Sequence, residues 1–167
     1  LRLRRLPEHA GRLARALAVL EQGDLLQAAG LAELDEAEAS DAAELLVTAE
    51  ILEAGRPLTF IHPIVRTGIY SDLTSAERAQ GHRSAARLLA GQPGSNERVA
   101  NHLLVSEPAG DGWAVERLIE AACTAGKQGC RTTRPLAALA WRALAVAPPE
   151  QVRPETMRPL RQVAAAG

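Results

Sequence analysis

Four histidines, two cysteines, one lysine and one acidic run are the residues that could do chemistry in this 167-residue chain. Cys123 and Cys130 stand seven residues apart. On a continuous helix that is about two turns, roughly 10 Å, which is beyond the reach of a disulfide. No third or fourth soft ligand lies near them, so no metal site is predicted. They read as small, partly buried thiols of a reducing cytosol. The single lysine, Lys127, sits in Gly126-Lys127-Gln128-Gly129. That string lacks the Ser/Thr and the preceding strand of a phosphate loop. Neither a GxSxG elbow nor an HExxH helix is present. Acidic pairs such as Glu36 and Glu38 read as solvated. The sequence thus predicts no catalytic residue, no enzyme and no cofactor held by this chain.

The histidines separate by setting. His9 and His82 lie among Arg and Ala in helical segments and read as structural, and His102 reads as a packing or capping residue. His62 follows a predicted strand and precedes Pro63, at a helix start where free N–H groups and the helix dipole favour anions. An imidazole there could reach a phosphate held by a neighbouring domain, although position alone favours a helix-capping role.

These side chains need elements to position them, and composition restricts which. Hydrophobic residues make up 47% of the chain, enough for a core, but only Phe60, Tyr70, Trp113 and Trp141 are aromatic. The apolar content is mostly Ala and Leu, which favour helix, so an all-β fold is excluded. A net charge of −1 argues against a nucleic-acid coat. No apolar run approaches the roughly 18 residues of a membrane span. The basic start, Leu1-Arg2-Leu3-Arg4-Arg5, lacks the features of a signal peptide, so a cytoplasmic location is expected. Beginning at Leu1 rather than Met, the chain reads as a piece of something longer or as a product with an alternative start.

The apolar spacing predicts a first helix over 8–22, with Leu13, Leu17 and Leu20 on one stripe and Gly23 ending it. Asp24 caps a short second helix over 24–29, with Leu25, Leu26 and Ala29 inward and Gly30 as its breaker. Asp35-x-x-Glu38 reads as a capping box opening a third helix to about residue 50, with Ala39, Ala42, Leu46 and Ala49 inward. Ile51-Leu52 and Leu58-Thr59-Phe60-Ile61 around Gly55-Arg56-Pro57 read as a short hairpin. Three short helices and a hairpin are the outline of a winged helix. A helix from Pro63 follows, with Ile64, Val65, Ile69 and Tyr70 packing along it. Thr74-x-x-Glu77 is a second capping box, opening a helix to about residue 90. The string 91–95 is a linker candidate. Beyond it come a helix over 96–105, a loop over 108–112, a helix from Asp111 ended by Gly126 and Gly129, and a partner helix from about 135. That last pair has the length of a tetratricopeptide-like unit, and the tail from Arg153 resembles the start of another. The expected class is therefore mainly α: a winged-helix-like module over 1–91, then the start of a helical-repeat region over 92–167.

Charge decides what the winged-helix outline could bind. In such folds the third helix is the recognition helix. From Asp35 to Glu53 the chain carries seven acidic residues and no Lys or Arg. DNA affinity depends on neutralising phosphates, so this segment is predicted not to bind DNA by itself.

The string Phe60-Ile61-His62-Pro63-Ile64-Val65-Arg66-Thr67-Gly68-Ile69-Tyr70 is the most specific in the chain. It is followed by Leu73-Thr74-Ser75-Ala76-Glu77-Arg78, by His82-Arg83-Ser84-Ala85-Ala86-Arg87-Leu88-Leu89 and by Val99-Ala100-Asn101-His102-Leu103-Leu104. Gly110-Asp111-Gly112-Trp113-Ala114-Val115 and Arg142-Ala143-Leu144-Ala145 complete the set. In this order and spacing, from about Leu6 to Gln162, the chain resembles the middle region of large ATP-binding LuxR-type transcription regulators of actinobacteria, signalling ATPases of the STAND class. The resemblance implies a regulatory module coupling a neighbouring NTPase domain to a helical-repeat sensor that answers a protein or small-molecule inducer. ATP/ADP and Mg would be bound elsewhere in the full-length relative, and a C-terminal helix-turn-helix would bind the DNA. It also implies that His62 senses the nucleotide's phosphates, with Pro63 in place of a common acidic neighbour. Gly81 stands where relatives carry a bulky apolar residue, which implies looser packing there. The alternative is a free-standing winged-helix DNA-binding protein with a helical extension.

Overall fold

The computed structural model describes residues 5–92, 94–106, 111–127 and 138–140. The architecture is mainly helical, and the chain divides between Leu88 and Leu89 into two compact units.

In the first unit α1 (Glu8–Leu20) is the central element, and it packs against α2 (Leu25–Ala32), α3 (Glu36–Thr48) and α4 (Pro63–Asp72). Leu13, Leu17 and Leu20 are buried as expected, but so are Ala10, Ala14, Ala16, Ala18 and Val19. The alanines make α1 apolar on several sides, and their small side chains let neighbouring helices approach. A broad apolar face of this kind belongs against a core, and Glu8, His9, Arg12 and Arg15 occupy the remaining polar side.

Local chemistry sets the element ends. α1 stops at Glu21, two residues before the expected Gly23. Glu21 adopts φ 68° and its N–H bonds the Leu17 carbonyl at 2.9 Å. Asp24 caps α2 by accepting from the Gln27 N–H at 2.7 Å. Gly30 does not break α2, which runs through it to Ala32. The stop is Glu33, in the left-handed conformation at φ 53°. The Glu33 N–H bonds the Gly30 carbonyl and the Leu34 N–H bonds the Ala29 carbonyl, the pattern of a Schellman motif. α3 ends the same way, with Glu50 at φ 58°, its N–H on the Val47 carbonyl and the Ile51 N–H on the Leu46 carbonyl. The Asp35–Glu38 capping box is present in both arms, at 2.8 and 3.2 Å. Ala39, Ala42 and Leu46 are buried beneath it.

The expected hairpin is reduced to isolated bridges. Leu52 pairs with Phe60 and Gly23 with Leu58, both antiparallel, and no longer ladder forms among the described residues. The Glu53 N–H bonds the Thr59 carbonyl, the Ile61 N–H bonds the Ile51 carbonyl, and the Leu58 N–H bonds the Gly23 carbonyl. Two inward assignments are corrected as well. Leu26 is 73% exposed and Ile64 is 78% exposed. Each lies in the first turn of its helix, where apolar type alone could not show that no neighbour covers it.

α5 (Ser75–Leu89) opens on the Thr74–Glu77 box, the Thr74 N–H donating to Glu77 at 2.7 Å and the Glu77 N–H to Thr74 Oγ1 at 3.2 Å. Packing at Gly81 is close rather than loose. A Cβ there would lie 3.2 Å from Val19 Cγ2, so the glycine marks where α5 meets α1.

The second unit contains α6 (Asn96–Val105) and α7 (Gly112–Lys127), which pack together. Val99, Ala100 and Leu103 face a core with Val115, Leu118, Ile119 and Ala122. The Ser95 hydroxyl donates to the Leu89 carbonyl at 2.6 Å and lies 2.7 Å from the Gln92 carbonyl, which ties the start of α6 back to Leu89. Asp111 accepts from the Trp113 N–H at 3.1 Å. Gly126 falls inside α7 instead of ending it. Gly129, Cys130, most of the expected loop over 108–112, most of the partner helix from 135 and the tail from Arg153 lie outside the described residues.

Candidate functional site

His62 is exposed and forms the N-cap of α4 with extended backbone (φ −129°, ψ 129°). Its side chain makes no cap hydrogen bond. Pro63 occupies the first helical position without an N–H to leave unpaired. The Val65 N–H turns back to the His62 carbonyl at 3.0 Å. The imidazole is therefore presented at the helix start without closing it, which removes the capping role that position alone suggested.

The outer face of α3 is the second feature. Ala39, Ala42 and Leu46 turn inward, and a 100° step per residue puts Asp41 and Glu44 on the opposite side, with Glu36 and Glu38 flanking the buried stripe. Asp35, Glu36, Glu38, Asp41, Glu44, Glu50 and Glu53 are all exposed. Asp41 lies 2.7 Å from His9 Nε2, tying α1 to α3.

The third feature lies where α4 meets α5. The hydroxyl of the half-buried Tyr70 is 2.8 Å from Nε2 of the buried His82, and the two rings meet edge to face at 5.8 Å. The guanidinium groups of Arg66 and Arg78 lie 5.9 and 5.5 Å from the Tyr70 ring centroid. Arg66 also donates to the Ala18 carbonyl at 3.1 Å and to the Glu21 carboxylate at 2.8 Å. It thus supplies a cation to the C-terminal end of α1, where carbonyls lack helical partners and the dipole is negative. Arg12 does the same for α2, donating to the Ala32 and Glu33 carbonyls at 2.6 and 2.8 Å. Burial pushes the His82 imidazole below its ordinary value; Glu21 opposes this and Arg66 adds to it.

The sequence marks His82 as structural but does not reveal Tyr70 and Arg66 as its neighbours, nor Arg12 as the cation at the end of α2. The available signal was spacing: Arg66 and Tyr70 are four apart, as are Arg78 and His82, so each arginine shares a helix face with one ring. His102 is buried on α6, in keeping with a packing role. Among the described residues no three His, Cys, Asp or Glu side chains group as metal ligands, and no helix is long and apolar enough to cross a membrane. No family model, curated protein or solved structure matches the chain.

Proposed function

We propose that this chain is a regulatory and interaction module of a LuxR-type transcription regulator, coupling a neighbouring NTPase domain to a helical-repeat sensor. The observation that carries this reading is the outer face of α3. The element order supports a winged-helix outline: helix, a bridge at Gly23, two helices, then the bridged segments at Leu52 and Phe60. In that outline α3 takes the recognition position, and there it presents exposed carboxylates with no base between Asp35 and Glu53. DNA carries one negative charge per roughly 1.7 Å of axis, so such a face suits contact with protein and repels a duplex. The tetratricopeptide-like identity of residues 92–167 belongs to the same proposal, supported by the packed pair α6 and α7.

ATP or ADP and Mg would bind the neighbouring domain. The exposed, uncapped imidazole of His62 is the group of this chain that would reach the nucleotide's phosphates. The test has two arms. In a mobility shift at physiological salt the chain leaves duplex DNA unshifted; nanomolar, sequence-dependent binding overturns the reading in favour of a free-standing DNA-binding protein. In a full-length regulator carrying this segment, His62→Ala changes ADP affinity while the segment stays folded. Unchanged affinity removes the sensing role.

A further inference from the structure

The cluster where α4 meets α5 has no part in the function proposed above, yet it links three helices through one titratable ring. We propose that Tyr70, His82 and Arg66 form an acid-sensitive latch that holds α4 against the C-terminal end of α1.

The neutral imidazole has one nitrogen that accepts and one that donates. At 2.8 Å, His82 Nε2 can accept the Tyr70 hydroxyl proton while the ring stays buried. A protonated imidazole has no lone pair. The phenol must then turn to offer its oxygen, and a charge stands where water is excluded.

The groups facing that charge come from three helices. α4 supplies Arg66 and α5 supplies Arg78, both guanidinium groups beside the Tyr70 ring. The end of α1 supplies Glu21, an exposed carboxylate already engaged by Arg66. Protonation places a cation within the field of Arg66, with Arg78 on the Tyr70 ring and Glu21 as the opposing anion. Burial and like charge both disfavour that state, in keeping with the lowered affinity of His82 for a proton.

Release is transmitted because Arg66 and Tyr70 lie one turn apart on α4. Displacing the ring moves the guanidinium that bonds the Ala18 carbonyl and Glu21. Acid therefore loosens α4 and uncovers the end of α1, while α3, held by its own capping box, stays in place.

The test measures amide exchange in the full chain from pH 8 to pH 5, corrected for intrinsic rates, with the His82 ring titration followed by NMR. In the wild type, α4 amides lose protection relative to α3 amides as pH falls below about 6.5, by up to about tenfold per pH unit for one proton. His82→Gln puts an amide oxygen near the place of Nε2, accepts from Tyr70 and cannot titrate, so its α4 protection stays level with pH. Tyr70→Phe keeps the ring pair but removes the bond that favours the neutral imidazole, so the His82 midpoint rises toward its ordinary value, and the loss of α4 protection, still beginning near about 6.5, levels off at a higher pH and is smaller. This second variant decides the matter if His82→Gln does not fold. The latch is overturned by α4 protection that is level with pH in the wild type, by the same pH dependence in His82→Gln, or by a Tyr70→Phe midpoint that stays or falls.

Discussion

Three glutamates have positive φ, Glu21, Glu33 and Glu50, and each follows the end of a helix. Glycine is the usual residue there, because an L side chain in the left-handed region costs roughly 1–2 kcal/mol. A carboxylate at a helix C-terminus also opposes the dipole. Glu33→Gly should therefore raise stability by about 0.5–1 kcal/mol after the greater backbone entropy of glycine is counted. A higher denaturant midpoint at unchanged slope would show it, and a lower midpoint would mean that the Glu33 side chain supports the fold. His62→Ala should cost less than about 1 kcal/mol, since no cap bond is lost. A loss of several kcal/mol in the same assay would place the imidazole in the core.

At the scale of elements, caps and close approaches decide the outcome. Asp35→Ala removes the side-chain acceptor at the start of α3 and should cost about 1 kcal/mol. Gly81→Leu should cost roughly 1–3 kcal/mol by overpacking against Val19, and Val19→Ala in the same chain should recover part of it in a double-mutant cycle. Full additivity would show that the two residues do not meet. The contrast between these sites explains what the sequence could reveal. Both capping boxes were legible because their partners are three residues apart and their chemistry is local. The stripe Ala39, Ala42 and Leu46 was legible from helical period. The stops at Glu21 and Glu33 were not, since glutamate gives no sign of a left-handed turn. Gly30 read as a breaker yet lies within α2, where a Cβ would come 3.0 Å from Leu88 Cδ1. The reason for that glycine is 58 residues away and has no local signature. Leu26 and Ile64 read as core for a similar reason, because whether a side chain is covered is a property of the neighbours.

For the whole molecule, the buried histidine sets a pH dependence. His82 has a folded pKa below its ordinary value near 6.5, so the unfolded chain takes up the proton first. The stability that the neutral ring contributes is present in full above about 6.5. It is lost as pH falls from there to the lowered folded value, at no more than about 1.4 kcal/mol per pH unit for one proton. Unfolding free energies of the wild type and His82→Gln, compared from pH 8 to pH 5, should diverge only in that window. Parallel curves would assign the acid response to other groups.

Arg66 reaches back 48 residues to the Ala18 carbonyl, and that span has a meaning in time. A chain leaves the ribosome at about 5–20 residues per second. Roughly 2 to 10 s therefore separate the emergence of α1 from that of the guanidinium that completes its end. During that interval Leu13 and Leu17 can find α2 and α3, but the last turn of α1 waits, its carbonyls in water. The nascent protein passes through a stage in which its central helix is formed at one end and open at the other, and chaperones have access to that end until α4 arrives.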